Sequence, residues 1–383
     1  MAKLVSLELD YSIKVSSRIE NYLSPEYVYF YINKESKLLV KDKEKVLKGQ
    51  PLLINNSKTI FSTVSGQVCG LKKFKRNNIE YHYLVVENDY KEKTVKKSIK
   101  KSLKIKNENE LKRLLNEYGL NIKFEQKEIL LLNCIDDEPY IVNNSMYLNK
   151  NINNILETLD TLKNILNKKL VYILIKNTET DVLTKINDLL GTYPDFKLIM
   201  VPNYYLIERP ENYQNYLDVT LDSIFPINLK EFNKISEIIE KDKPQTEKFI
   251  TLTGDAIKNP LVINAKIGSA VKDILTGDIE FLDNSDDLAF YYNGLMKGNL
   301  TRLDGLIVDD QFEGLIITKN EECKSSKCVK CGLCLKYCPL NINPIEYYLD
   351  AKEIKCLNCG LCAYVCPSNI NFKSITKKED NYE

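Results

Sequence analysis

Two four-cysteine runs near the C-terminus constrain this chain more than any other feature. The first reads Cys328-Val-Lys-Cys331-Gly-Leu-Cys334-Leu-Lys-Tyr-Cys338-Pro339, the second Cys356-Leu-Asn-Cys359-Gly-Leu-Cys362-Ala-Tyr-Val-Cys366-Pro367. Both have the spacing C-x2-C-x2-C-x3-C-P. Three thiolates at this spacing wrap three irons of one cubane, while the fourth, set apart and followed by proline, reaches the neighbouring cluster. This assigns Cys328, Cys331, Cys334 and Cys366 to one [4Fe-4S] cluster, and Cys356, Cys359, Cys362 and Cys338 to a second. Residues 327–343 and 355–371 align without gaps and match at 11 of 17 positions, both ending Asn-Ile-Asn. The duplication predicts two pseudo-symmetric lobes with clusters side by side. A pair of zinc sites is the other chemistry that closely spaced cysteines serve, although four cysteines in one short run before a proline is not the usual zinc layout. Gly332 and Gly360 suit a backbone that turns tightly around a cluster.

Composition narrows the setting. A net charge of +1 over 383 residues gives no global field toward nucleic acid, and the length allows two to four domains. No run approaches the 18 or more apolar residues of a membrane span, and Met1-Ala-Lys-Leu-Val lacks a signal-peptide core, so a soluble, cytoplasmic protein is expected. Of the 11 cysteines, Cys69 and Cys134 are expected as buried small hydrophobes, and Cys323 as a bystander.

Upstream, residues 1–90 read as a β domain, with strands at 27–32, 37–40 and 81–86. Val46-Leu-Lys-Gly49-Gln-Pro-Leu-Leu53 and Ser62-Thr-Val-Ser-Gly66-Gln-Val68 each place a glycine where a hairpin needs positive φ. They resemble the paired hairpins of a lipoyl-like barrel-sandwich. Lys58, at the tip between them, is either a swinging-arm lysine or part of an ordinary packed β module; it lacks the usual acidic or methionine flanks. Residues 91–107 form a linker, with eight lysines and one glutamate in 91–106; such a run is solvated or rests on an anionic surface.

Residues 108–245 alternate strands with helical periods, predicting a parallel, Rossmann-like sheet. Strands are expected at 129–132, 170–175 and 196–201, with helices over 152–166 and 181–190. Asn133-Cys-Ile-Asp-Asp-Glu138-Pro139-Tyr140 would then lie at a strand's carboxyl end, where such sheets bind ligands, although its spacing alone reads as an acidic solvated loop. Residues 246–320 return to β around Thr253-Gly-Asp-Ala-Ile-Lys-Asn-Pro260, with Ser269 capping a short helix 270–275, a unit that looks like a β-grasp fold. Residues 321–383 hold the clusters. The expected fold is therefore α+β multidomain: N-terminal β barrel-sandwich, Rossmann-like α/β domain, β-grasp domain and C-terminal ferredoxin-like domain with two [4Fe-4S] clusters.

In this order the parts resemble RnfC, the peripheral subunit of the Rnf ferredoxin:NAD oxidoreductase, and its soluble relatives. The resemblance is carried by 46–53, 62–68, 133–140, Thr253 to Pro260 and the cysteine repeat, nearly the whole chain. It implies that 253–260 belongs to a soluble-ligand-binding β-grasp domain, and that NADH reduces an FMN in the Rossmann-like domain before electrons leave through the clusters. Asn133 and Glu138 match the family's Asn and Glu-Pro positions and are the nucleotide-site candidates. The family's glycine-rich FMN loop is replaced here by Gly119-Leu-Asn-Ile-Lys-Phe-Glu-Gln-Lys, with one glycine. Backbone amides approach a phosphate closely only where side chains are absent, so an altered nucleotide site is expected. The expected function is an iron-sulfur relay between a flavin, NADH or ferredoxin donor and a partner redox complex, soluble or peripheral on the inner face of the membrane. The alternatives are a full NADH-oxidising flavoprotein, such as the Rnf subunit itself or a partner of proline reductase, and an interaction scaffold with structural clusters. Lys324, Lys327, Lys330 and Lys336 form a basic rim, either a dock for acidic carriers such as ferredoxin or a solvated face.

Overall fold

The computed structural model describes residues 15–95, 105–277, 279–282, 288–319, 325–345 and 356–372. The middle of the Lys-rich stretch, Cys323 and Lys324 lie outside them. The described residues form a mixed α/β architecture with several sheets and a C-terminal pair of cysteine lobes.

Strand β1 (Ile19–Tyr22) departs from the N-terminal β module and is described with the last sheet. The others stay: β2 (Tyr27–Ile32), β3 (Lys37–Leu38), β4 (Lys45–Val46), β5 (Pro51–Asn55), β6 (Lys58–Phe61), β7 (Gly66–Arg76) and β8 (Ile79–Asn88). They make a four-stranded sheet β2-β8-β7-β4 and a three-stranded sheet β3-β5-β6, enclosing Val28, Phe30, Leu52, Leu53, Leu84 and Val86. The tight hairpins are closed by Asn56-Ser57 and Asn77-Asn78, all at positive φ, because residues with short polar side chains tolerate the left-handed region. Gly49 has φ +84 as expected, but Gly66 does not turn the chain. It sits in β7, where a side chain would strike the Glu87 carbonyl of the paired strand, so close backbone approach is the reason for glycine there. Lys58 follows the Asn56-Ser57 turn as placed, but its ammonium is tied to the Asp310 carboxylate rather than free to swing. Cys69 is exposed rather than buried, because strand alternation turns it outward while Val68 points into the core; Cys134 is buried as expected.

Next come α1 (Glu108–Glu117), β9 (Ile129–Asn133), α2 (Asn143–Ile165), β10 (Leu170–Lys176), α3 (Thr180–Leu190), β11 (Phe196–Val201), α4 (Pro210–Tyr213), β12 (Ile224–Asn228) and α5 (Leu229–Lys241). The four strands are all parallel in the order β11-β10-β9-β12. Leu130 and Leu132 face one core with α2 and α5, while Ile129 and Leu131 face the other, as a strand buried on both sides requires. The strand order reverses direction beside β9, so Asn133 and its register partner Asn228 flank the switch point at the carboxyl edge.

The last sheet runs β1-β14-β13-β17-β15-β16, built from β13 (Glu247–Thr253), β14 (Leu261–Lys266), β15 (Leu288–Tyr292), β16 (Asn299–Thr301) and β17 (Gly314–Lys319). Its edge strand β1 pairs in parallel with β14, Ile19 opposite Val262. Helix α6 (Val271–Leu275) starts after Ala270 with no side-chain cap, so Ser269 is not the cap; its hydroxyl is buried without a partner among the described residues. The cysteine lobes carry the one-turn helices α7 (Leu333–Lys336) and α8 (Leu361–Tyr364).

Candidate iron-sulfur site

The two cysteine runs fold alike. Lys330 and its repeat equivalent Asn358 have φ of 56° and 49°, Gly332 and Gly360 have 74° and 76°, and Asn341 and Asn369 have 53° and 52°. Each glycine precedes its one-turn helix. The left-handed residues curl the backbone so that amides turn onto sulfur: Lys330 donates to Cys328 Sγ at 3.4 Å, Asn358 to Cys356 Sγ at 3.4 Å, and Ile342 to Cys338 Sγ at 3.3 Å. Such donors stabilise thiolate charge and are one of the means by which a protein sets a cluster's potential.

Within the lobes the thiols act on one another. Burial pushes the Cys362 thiol up to about 12, with Cys359, Cys356 and Cys338 adding to the push. Burial also raises the Cys359 thiol, again with Cys356 and Cys338 adding to it. Cys338 is thus near enough to the second run to oppose the ionisation of its thiols. In the first run burial raises Cys334, with Cys331 and Cys328 contributing. Thiols packed so that each opposes its neighbour's ionisation fit iron ligation, because a coordinating thiol is deprotonated outright and the metal supplies the opposing charge. Among the described residues no three His, Cys, Asp or Glu side chains are grouped around one metal-ion position; the ligands of a cubane bind separate irons.

The two runs differ in what covers them. Cys331 is exposed, whereas its equivalent Cys359 is buried. The cover is the turn after β11: Tyr205 and Leu206 pack with Met296, Leu357, Cys359 and Leu361. The Tyr205 hydroxyl donates to the Cys359 carbonyl at 2.6 Å. Leu206 is held at φ +68, and its carbonyl accepts from the Asn212 side chain at 2.7 Å. Sequence reasoning misses this turn, because residues 204–209 carry no periodicity or motif and their role appears only when the modules are docked.

Asn133 and Glu138 lie at the carboxyl edge of β9, as expected, and both are engaged. Asn133 Nδ2 donates to the Glu208 carbonyl at 2.9 Å, and its Oδ1 accepts from the Ile135 amide at 3.1 Å. Glu138 is only 7% exposed. Its carboxylate accepts from the Met296 amide at 3.1 Å and from the Lys297 amide. Burial pushes its pKa up to about 7 against the pull of those two amides. The Lys297 ammonium meets Asp137 at 2.9 Å and Glu208 at 3.1 Å. Together these contacts latch the parallel sheet to the 293–298 loop and, through Met296, to the second cysteine run.

Gly119 has a different duty from a phosphate cradle. It follows α1 at φ +72, donates to the Asn116 carbonyl at 3.0 Å, and is followed by Leu120, which donates to Leu115 at 3.0 Å. That is the paired hydrogen bonding of a Schellman helix end. A side chain here would come within 2.7 Å of the Thr59 amide nitrogen, so the residue is fixed by helix termination and by contact with β6.

The 4Fe-4S dicluster domain family matches residues 327–370. The RnfC protein of the ion-translocating oxidoreductase complex of Buchnera aphidicola subsp. Acyrthosiphon pisum (strain APS) is 25% identical over 351 residues, covering 82% of this chain and 72% of that protein. This chain is similar to that subunit along most of its length. With the dicluster domain, that similarity supports an iron-sulfur electron-transfer role. Among solved structures, NAD+-reducing [NiFe]-hydrogenase in the H2-reduced state aligns with TM-score 0.49 and 8% identity, over 65% of this chain and 53% of that one. The air-oxidized state aligns with TM-score 0.41 and 9% identity, over 63% and 50%. Among the described residues no helix is long and apolar enough to cross a membrane.

Proposed function

We propose that this chain is an RnfC-type electron relay: a peripheral, cytoplasmic subunit that passes electrons one at a time through two [4Fe-4S] clusters, between a soluble carrier and a partner redox complex. The observation that carries this reading is the pair of C-x2-C-x2-C-x3-C-P runs, which the 4Fe-4S dicluster domain matches over residues 327–370, since exchanged fourth ligands would hold two clusters side by side. Cys328, Cys331, Cys334 and Cys366 hold one cluster, and Cys356, Cys359, Cys362 and Cys338 the other. The upstream parts act as a docking frame: a barrel-sandwich at 1–90, a linker at 91–107, a Rossmann-like domain at 108–245 and a β-grasp domain at 246–320, with the cluster domain at 321–383. The exposed first run, with Lys327, Lys330 and Lys336 around it, receives an acidic ferredoxin-like carrier. The second run faces the sheet edge.

In this reading the nucleotide chemistry of the family has been given up. Gly119 closes a helix, and Asn133 and Glu138 are spent on protein contacts. Gly119, Asn133 and Glu138 each have another partner within the protein. The test is cofactor content in anaerobically purified protein. About eight irons and eight sulfides with no FMN is the expected result. One FMN per chain would restore NADH oxidation as the leading function, and zinc in place of iron would remove the relay altogether.

A further inference from the structure

A cavity of about 360 Å³ opens where three modules meet. Lys48 comes to it from the β module, Tyr147 and Lys150 from α2, Phe249 from β13, and Asp242 from the end of α5. Its size falls in the range of small-molecule sites, about 300–1,000 Å³. Tyr147 meets Phe249 edge-on, with ring centroids 5.7 Å apart, and the Lys150 ammonium lies over the Phe249 ring at 5.4 Å. Most of the charge around the cavity is already matched. Lys241 pairs with Glu237 at 2.7 Å, Glu247 with Lys266 at 2.9 Å and Lys48 at 3.6 Å, and Lys248 with Glu313 at 3.2 Å. Three lining groups have no counter-ion among the described residues: Lys150, Lys243 and Asp242. The two lysines are exposed, so water serves them.

Asp242 is only 4% exposed. Its Oδ1 accepts from the Tyr118 hydroxyl at 2.7 Å, but its Oδ2 is buried with no partner among the described residues. A carboxylate oxygen covered and left without a donor is costly. The residue also stands at the wrong end of a helix. It caps the C-terminus of α5, its amide donating to the Ile238 carbonyl and its φ at +49, where the helix dipole favours a cation over an anion. Glycine or asparagine would serve that turn without the charge. A carboxylate that its own surroundings oppose points to a cationic donor from outside them.

We propose that this cavity binds a small zwitterion of the free amino acid class, its ammonium on Asp242 and its carboxylate toward Lys150 and Lys243. An ammonium brings three N–H donors, enough for the Asp242 Oδ2 and for carbonyls at the negative end of α5. The carboxylate then meets the two lysines that have no other anion, and Tyr147 and Phe249 stand beside the side chain. A phosphate or a plain carboxylic acid would suit the lysines but leave Asp242 without a donor. A plain amine would suit Asp242 but face both lysines. A ligand that carries both charges answers all three groups. The cavity shares no lining residue with the cysteine runs or with Asn133 and Glu138, so its occupancy is independent of the relay chemistry. Because its walls come from all three modules, a bound ligand should stabilise their docking.

The experiment uses the full chain, purified anaerobically. Thermal unfolding is recorded with each of the common L-amino acids in turn at about 10 mM, and any that raises the midpoint is titrated by calorimetry. At least one should bind, at one site per chain. For that amino acid, the matching acid without the amino group and the matching amine without the carboxyl should each bind about tenfold more weakly or worse. Asp242→Asn keeps an oxygen for the Tyr118 hydroxyl and tolerates the left-handed region, and it should weaken binding about tenfold or more. A wild-type chain that binds none of the amino acids overturns the proposal, as does equal binding by Asp242→Asn or equal binding of the acid without its amino group. Should Asp242→Asn fold poorly, the double variant Lys150→Gln with Lys243→Gln, at two exposed positions, gives a second reading. Binding should weaken about fivefold or more there; unchanged binding overturns the proposal.

Discussion

The two cysteine runs share spacing, left-handed residues, one-turn helices and amide-to-sulfur bonds, yet they stand in different surroundings. Leu333 is half-buried and Val329 is 65% exposed, whereas Leu361 is 1% exposed and packs under Tyr205 and Leu206. A repeat of this kind fixes the backbone that wraps a cluster, because that wrapping is local. The medium around each run is set by whatever the rest of the chain brings to it, and among the described residues a turn is brought to the second run. Potential follows burial and charge as well as ligand type, so one duplicated motif stands in two unlike settings.

The largest effect should come from the ligands. Cys331→Ala and Cys359→Ala are each expected to lower bound iron from about eight to about four per chain, checked by iron and sulfide analysis. Cys338→Ala sharpens the comparison: it should leave the same residual EPR spectrum as Cys359→Ala, since both empty the second site. A spectrum like that of Cys331→Ala would return Cys338 to its own run.

Packing gives the next effect. Leu361→Ala removes a fully covered side chain and should cost about 2–4 kcal/mol, read as a lower urea midpoint and faster oxygen bleaching of one cluster. Its repeat equivalent Leu333→Ala should cost about half as much, and Val329→Ala no more than about 0.5 kcal/mol. Equal losses at Leu333 and Leu361 would mean that the turn at Tyr205 does not cover the second run in solution.

Much of this is legible in the sequence alone. The parallel strands follow from apolar runs of strand length separated by helical periods, and Leu130 to Leu132 are buried on both faces as such runs require. The cluster lobes follow from cysteine spacing, which is a local property. What stays hidden is non-local. Nothing in Ile19–Tyr22 announces a partner at Val262–Ala265, and nothing in Glu138 announces the amides of Met296 and Lys297. The acidic loop reads as a nucleotide site or a solvated loop because both place carboxylates after a strand; a long-range contact decides its use. Gly66 misleads for a related reason. Glycine marks a close approach as readily as a positive φ, and only the approaching strand tells which.

Glu138 allows a third test, since it belongs to the latch on the second run and has no equivalent at the first. Its carboxyl is raised to about 7 by burial, and Asp136, buried beneath the Asn144 and Ser145 amides, is raised to about 7 as well. With native values above the unfolded ones, the native state binds more protons across the window from about 4.5 to 7. Stability should therefore fall as pH rises through that window, by at most about 1.4 kcal/mol per pH unit for each carboxyl. Glu138→Gln should remove about half of the slope in urea unfolding at about pH 5.5, 6.5 and 7.5. An unchanged slope would place the titrating groups elsewhere and weaken the latch.

The smallest effect concerns the open face. Lys327 and Lys330 lie beside exposed Cys328 and Cys331, with no acidic residue between Lys324 and Cys338. Exposed charges contribute little to stability but much to encounter rate, and they do so over a Debye length that salt shortens from about 30 Å at 0.01 M to about 8 Å at 0.15 M. The double reversal Lys327→Glu with Lys330→Glu should slow electron exchange with an acidic ferredoxin about fivefold at low salt, roughly 1 kcal/mol, and by little at about 0.5 M. Reversal at Arg209 should show a weaker salt dependence, because Arg209 ends the turn that covers the second run and does not lie on the open face. Stopped-flow rates against ionic strength separate the two: a steep salt slope belongs to the open run, a shallow one to the covered run. Equal slopes would erase the distinction between them.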